Sequence, residues 1–395
     1  MNREQVLIIN VLSDYLNRKK TTPIKDLDWS IINTITKSHQ IEGILYYQCK
    51  SFIPADFLHH YENSFYAALF SFKNKENNWR DIKKSFTSAK IPFLFIKGMD
   101  VSSCYPVPFL RTMGDLDILV HQKDKKKADQ LLISLGFKCT EQKPEYDWIY
   151  HKSGIEIELH HQLVYDHNEL VNLKKQMEFF NNCWNYAENG KANWNFHFLF
   201  LLAHLAKHLL YKGVGFRMFM DLAVVTKNVP DLNWDWIESK LIDLGLYKFA
   251  QVCLRLNEYW FGVKTPLNCL ELEDDFIENA TEKIFMNGVF GFSNPKSKEY
   301  SKYNSFTKYR GPRWMSRFFV LIRNLFPKYR DMQYASHYIF LNGRPWLLPI
   351  AWIYRYYLLF KGKTAGIENS LKNITIPDTK IREWEEELNS WGLLG

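Results

Sequence analysis

The run Gly114-Asp115-Leu116-Asp117-Ile118-Leu119-Val120 constrains this chain more than any other segment. It reads as a short strand. Successive side chains of a strand point to opposite faces, so Asp115 and Asp117 share one face while Leu116 and Ile118 turn to a core on the other. Two carboxylates held that close repel unless a cation lies between them. Mg²⁺ is the natural candidate because it accepts a few carboxylate oxygens together with substrate phosphates, and Mn²⁺ is the alternative.

A second alternation follows at Ile155-Glu156-Ile157-Glu158-Leu159-His160. If this strand neighbours the first, Glu158 or Glu156 completes a set of three acids, an arrangement suited to phosphoryl-group transfer with bound metal. His160 would then orient a carboxylate or a nucleotide. Upstream, Lys97-Gly98 ends the apolar run Ile91–Ile96 and begins a predicted helix. Glycine there lets the backbone approach a phosphate, a helix N-terminus favours an anion, and Lys97 adds a point charge. Arg111 and Gly114, just before the paired aspartates, complete the expected phosphate contacts.

The surrounding pattern predicts three zones. Residues 1–90 read as helices, from the spacing of Val6, Ile9, Val11, Leu12 and Tyr15, of Trp29, Ile32 and Ile35, and from a long helix over about 54–89. Residues 91–185 read as a small α/β core. Its order is strand, helix, strand, helix, then a hairpin of 146–151 and 155–160 that turns at Lys152-Ser153-Gly154. The helix before the hairpin carries the stripe Ala128, Leu131, Leu132 and Leu135 and stops at Gly136. Residues 190–395 return to helix. There His204 and His208 lie four apart on one face with Lys207 beside them. No Glu follows His204 and no third ligand is evident, so the expectation for His204, Lys207 and His208 is a place in the cleft, as for Glu156, rather than a zinc site. The predicted class is α+β, a small mixed-sheet core flanked by N- and C-terminal helices.

Composition enters at two points. The six cysteines are scattered with no CxxC, which fits a reducing cytoplasm. The Lys, Asn and Ile content suggests an AT-rich bacterial genome. The N-terminus has no signal-peptide pattern, and no stretch reaches the ~18 uncharged apolar residues of a spanning helix. Second, Lys296 to Arg330 holds ten Lys and Arg against the single Glu299, a surplus larger than the +8 of the whole chain. It is followed by the aromatic run Trp346–Phe360. The tract 296–360 reads as a layer packed on the core, as a peripheral membrane contact, or less readily as a nucleic-acid surface.

The residues Lys97-Gly98, Arg111, Asp115, Asp117, Gly136-Phe137 and His160 together resemble the uncharacterised nucleotidyltransferase family, a branch of the DNA polymerase beta-like nucleotidyltransferase superfamily. The helix with His204, Ala206, Lys207 and His208, followed by Arg217 and Asp221, resembles that family's C-terminal part. The resemblance covers roughly residues 30–260. It implies a polymerase beta-like core and transfer of a nucleoside monophosphate from an NTP donor to an acceptor hydroxyl or phosphate. Asp115, Asp117 and Glu158 would be the metal-binding acids. Two departures stand out. Glu158 occupies the place of the usual Asp, and the phosphate turn is Lys97-Gly98 where the wider superfamily has Gly-Ser. The alternatives are a non-catalytic nucleotide- or partner-binding module, and a membrane-surface enzyme of polysaccharide or lipid-linked modification.

Overall fold

The computed structural model describes residues 1–142, 147–165, 172–188, 190–211, 213–289, 313–333, 336–361 and 377–394. The chain forms two compact units, one of Met1–Ser297 with Ser390–Gly395 and one of Lys298–Asn389. The zone boundaries read from sequence near 90 and 185 fall inside the first unit.

That unit is built on a mixed sheet in the order β3-β4-β5-β2-β1-β7-β6. Its strands are β1 (Phe93–Ile96), β2 (Asp115–Val120), β3 (Lys138–Gln142), β4 (Trp148–Lys152), β5 (Ile155–His160), β6 (Ala187–Glu188) and β7 (Lys191–Ala192). β2 is central. It runs antiparallel to β1 and parallel to β5, with Asp115 opposite Glu156 and Asp117 opposite Glu158. The hairpin β4–β5 closes through Ser153 (φ 47°) and Gly154 (φ 77°), the two positive-φ positions that a tight two-residue turn needs. Tyr146, at the expected start of that hairpin, lies outside the described residues.

Alternation divides the sheet into two faces. Leu116, Ile118, Val120, Ile155, Ile157 and Leu159 bury one face against Ile82 and Phe86 of α4 (Ala55–Ser88) and Ala128 and Leu132 of α6 (Lys125–Ser134). Each such side chain contributes roughly 1.5–3 kcal/mol of burial. Apart from buried Leu119, the intervening residues of β2 and β5 are the acids and His160, so hydrophobic burial on one face is what brings the carboxylates together on the other. Gly136 (φ 87°) ends α6 in the expected left-handed conformation, and α4, of 34 residues, matches the expected long helix. The expected α/β order lacks β3, β6 and β7. β3 is an edge strand whose residues are half to fully exposed, so no apolar alternation marked it. β6 and β7 are two residues each.

The helices α8 (Trp194–Tyr211), α9 (Phe216–Asn228), α10 (Trp234–Leu244) and α11 (Tyr247–Phe261) lie in the same unit, with Gly245 (φ 70°) ending α10. The N-terminal α1 (Arg3–Leu16) packs on α11. Its Tyr15 hydroxyl donates to the carbonyl of Val107, at 3.0 Å, in the link between β1 and β2.

Candidate active site

The site grows from the register of β2 and β5. Oxygen atoms of Asp115, Glu156 and Glu158 lie within 4.8 Å of one another, as do the ligand atoms of Asp117, Glu158 and His160. All-oxygen carboxylate sets suit hard cations such as Mg²⁺ or Mn²⁺ rather than zinc, so the donors fit the expected metal. Acids held this close disfavour one another's charge. Burial, with Asp117 next to it, pushes the Glu158 carboxyl up to about 7.

Asp117 is buried and takes a positive partner on each oxygen. Lys97 Nζ lies 3.0 Å from Oδ2, and His160 Nε2 lies 2.9 Å from Oδ1. Burial opposes its charge, but Lys97 and His160 outweigh that and hold the carboxyl well below the usual range. His160 is itself clasped. Its Nδ1 lies 2.6 Å from Asp147 Oδ1, an oxygen that also accepts from the Tyr165 hydroxyl at 2.5 Å. Burial works against protonation here, yet the two carboxylates raise this imidazole to about 10. Tyr165–Asp147–His160–Asp117 is thus one continuous polar chain ending at the paired acids.

The turn before the site is strained in a defined way. Lys97 has φ 63°, a region that a side-chain-bearing residue enters only when held there, and Gly98 follows at φ 27°. The holding contact is the Lys97 amide, which donates to Nε2 of buried His197 at 3.0 Å. Burial and the nearby Arg111 lower the His197 imidazole to about 4, so it stays neutral and able to accept. α5 (Gly98–Ser102), the expected helix, has five residues. Its macrodipole is correspondingly small, and the backbone turn with its Lys97 ammonium is the larger feature.

Arg111, expected as a phosphate contact, lines the cleft and is also held from within the protein. Nε and Nη2 each meet Asp221, both at 2.7 Å, and Nη1 donates to the Gly98 carbonyl at 3.3 Å. Tyr105 adds a third donor to Asp221 at 2.7 Å. Both charges of the Arg111–Asp221 pair are buried. The guanidinium therefore braces the turn from beneath, because an unpartnered buried carboxylate would cost far more than the pair gains.

These groups line a cleft of about 460 Å³. One wall holds Asp115, Asp117, Glu156 and Glu158. The other is formed from α8 and α9 and holds His204, Lys207, His208 and Arg217, with Lys97, Gly98 and Gly114 between the walls. Among the described residues Lys207 meets no carboxylate within salt-bridge distance. Burial and Lys97 lower its ammonium. His204 is held well below its ordinary value by burial first and by Lys97 next. Lys75, buried in the middle of α4, donates to the carbonyl of Met113.

Four contributors were not legible from sequence: Lys75, Asp147, Tyr165 and His197. None lies in a motif. Each reaches its partner from 13 to 100 residues away in the chain, and Asp147 falls inside the hairpin strand expected over 146–151.

A mixed sheet with paired aspartates on its central strand, a third acid on the parallel neighbour, and a glycine turn between flanking helices is a nucleotidyltransferase-type α+β core. The chain belongs to the uncharacterised nucleotidyltransferase family, whose model matches residues 25–262. Searches of the curated proteins and of the solved structures return no match.

Proposed function

We propose that the cleft transfers a nucleoside monophosphate from an NTP to an acceptor hydroxyl or phosphate. The observation carrying this reading is the β2–β5 register, which gathers acids on one wall opposite the unmatched Lys207 on the other. A polyanionic substrate with its counter-cation satisfies both walls at once. Asp115, Asp117 and Glu158 would hold Mg²⁺ or Mn²⁺, and the ion would supply charge neutralisation for the triphosphate.

The chain's own groups do the rest. Lys207 and Arg217 hold phosphate oxygens from the helical wall, while Lys97 and the Gly98 and Gly114 backbone approach them from the turn. The acceptor oxygen attacks the α-phosphorus and a new P–O bond forms. The bond from the α-phosphorus to the bridging oxygen breaks, and pyrophosphate departs with the electron pair. The acceptor's proton passes to Glu158, the cleft carboxylate on the strand beside the paired aspartates. Positioning and charge neutralisation account for most of the rate.

A second reading has a specific observation in its favour. Both oxygens of Asp117 are already paired, by Lys97 and His160, and a site content with its own cations could bind a nucleotide without turnover. Calorimetry with ATP, CTP, GTP and UTP, each with and without Mg²⁺, separates the two. The transferase reading expects one NTP to bind only with Mg²⁺, and binding to vanish in Asp115→Asn/Asp117→Asn. Binding indifferent to Mg²⁺ and to that variant would establish the non-catalytic module instead.

A further inference from the structure

We propose that residues 313–361 dock in the plane of an anionic lipid bilayer, seating two exposed apolar helix faces among its headgroups. The inference stands apart from the cleft and uses only the second compact unit.

The first observation is a pair of rows. In the helix Arg313–Leu325, Trp314, Phe318 and Ile322 recur every four residues, and Phe326 continues the row just beyond. All are exposed, Trp314 by 69% and Phe318 by 53%. In the helix Leu348–Phe360, Ile350, Ile353, Tyr354 and Tyr357 form a row at helical spacing, with Ile353 exposed by 71% and Tyr357 by 50%. Each row touches the packing surface at one residue, Phe326 against Trp352 and Tyr356 and Tyr354 against Tyr338 and Phe340, while Trp314, Phe318, Ile322, Ile350 and Ile353 stand exposed. Ala351 turns into a small core with Met332, Tyr338 and Leu341. Trp352 and Tyr356 tie the two helices together, donating to the carbonyls of Pro327 and Leu325 at 2.9 and 2.8 Å. The unit therefore has a core, and its largest apolar side chains still point away from it. Soluble surfaces rarely expose contiguous apolar rows of this kind without a partner.

The second observation chooses the partner. Between 313 and 361 the sequence has eight Lys and Arg and one acid, Asp331. Arg323, Lys328, Arg344 and Lys361 are exposed. The other acids described in this unit lie on the helix Asp378–Ser390. Exposed Trp, Phe, Ile and Tyr flanked by cations are the composition of helices that lie in a headgroup layer, where rings sit at the interface and each nearby cation adds about 1 kcal/mol against an anionic leaflet. Both helices have 13 residues, shorter than the ~20 needed to span. No described helix is long and apolar enough to cross a membrane. Lying in the plane is the geometry left for such faces. A second copy of this basic surface would meet it with like charge.

The test is flotation of the full-length protein with vesicles of phosphatidylcholine alone, or with phosphatidylglycerol at about one part in three. Flotation is expected with the anionic vesicles. It should be roughly tenfold weaker with phosphatidylcholine alone and weaker again at ~1 M salt, where the Debye length shrinks to about 3 Å. Trp314→Ser/Phe318→Ser and Ile353→Ser/Tyr357→Ser replace exposed side chains, so they should melt like the parent yet lose about tenfold in vesicle binding. Arg323→Glu/Lys328→Glu, which leaves both apolar rows intact, should lose the preference for anionic lipid. Three results would overturn the proposal: no flotation with anionic vesicles, flotation unchanged in all three variants, or a solution dimer that the serine variants convert to single chains.

Discussion

Asp147 shows how much a single side chain outside every motif can govern. It holds the far nitrogen of His160, and His160 holds Asp117, so the orientation of a cleft carboxylate is set two groups back. Groups in that position typically change metal affinity or activity by 10–100-fold when removed. Asp147→Ala should therefore weaken Mn²⁺ binding by about tenfold or more, with little change in melting temperature because the residue is only half-buried. Asp147→Asn keeps an oxygen for the imidazole N–H and the Tyr165 hydroxyl, so most of the affinity should return. Calorimetric titration with Mn²⁺ decides it, and equal affinities for all three proteins would remove Asp147 from the site. The contrast with Asp115 and Asp117 marks the limit of sequence reading at this scale. Their pairing follows from a two-residue period, which is a local rule. The partner of His160 follows instead from the hairpin register, which continued one step beyond the Trp148–Leu159 pair sets Asp147 opposite His160, and that step needs the turn as well as the period.

At the scale of elements, local rules carried further than at single residues. The β2 strand, the β4–β5 hairpin, the stop of α6 at Gly136 and the length of α4 all express periodicity or turn chemistry. The parallel pairing of β2 with β5 does not, since any of several strands could flank the paired aspartates. The seam that sets the helical wall of the cleft is equally invisible. Gly215 opens α9 just after α8, and a Cβ built on it would collide with the Gly288 carbonyl oxygen and meet its carbon at 2.9 Å. Backbone cannot step aside as a flexible side chain does. The same junction is tied by Asn287, whose Nδ2 donates to the Val214 carbonyl at 3.3 Å. Gly215→Ala should therefore cost about 1–3 kcal/mol, the usual range for overpacking. In a chain of this size that is a fall of several degrees in the thermal midpoint. Because α8 and α9 carry Lys207 and Arg217, NTP affinity should fall with it. A Gly215→Ala protein melting with the wild type would mean that the seam gives way without cost.

Over the whole first unit, the N-terminal helices are bound to the far end of the helical region through a buried, titratable contact. His39 closes α2 (Trp29–His39) and its Nε2 lies 3.1 Å from the Phe285 carbonyl oxygen in α12 (Asp274–Asn287), with the ring packed against Phe216 of α9. The Nε2–H donates, and Nδ1, buried, has no hydrogen-bond partner among the described residues. Burial lowers this imidazole to about 4, against 6.5 for the free group, with the Phe285 carbonyl opposing only in part. The sign follows directly. A depressed histidine stays neutral in the folded chain while the unfolded chain takes up a proton, so its stabilisation is complete above about 6.5 and drains away as pH falls toward 4. One pK unit corresponds to about 1.4 kcal/mol, which bounds the loss from His39 at roughly 3 kcal/mol. His197, lowered to about 4 under the Lys97 turn, acts in the same direction and window. Glu158, raised to about 7, has the opposite slope in that window, so the His39 share is read as the difference in urea unfolding free energy between wild type and a His39 variant. His39→Gln, whose amide can still donate to the Phe285 carbonyl, should be less stable than wild type at pH 7.5, and that gap should narrow as pH falls from about 6.5 to 4.5. A gap that is the same at pH 7 and pH 5 would mean that the contact between α2 and α12 opens to water before it protonates, and that the N-terminal helices are held chiefly by apolar packing of α1 on α11.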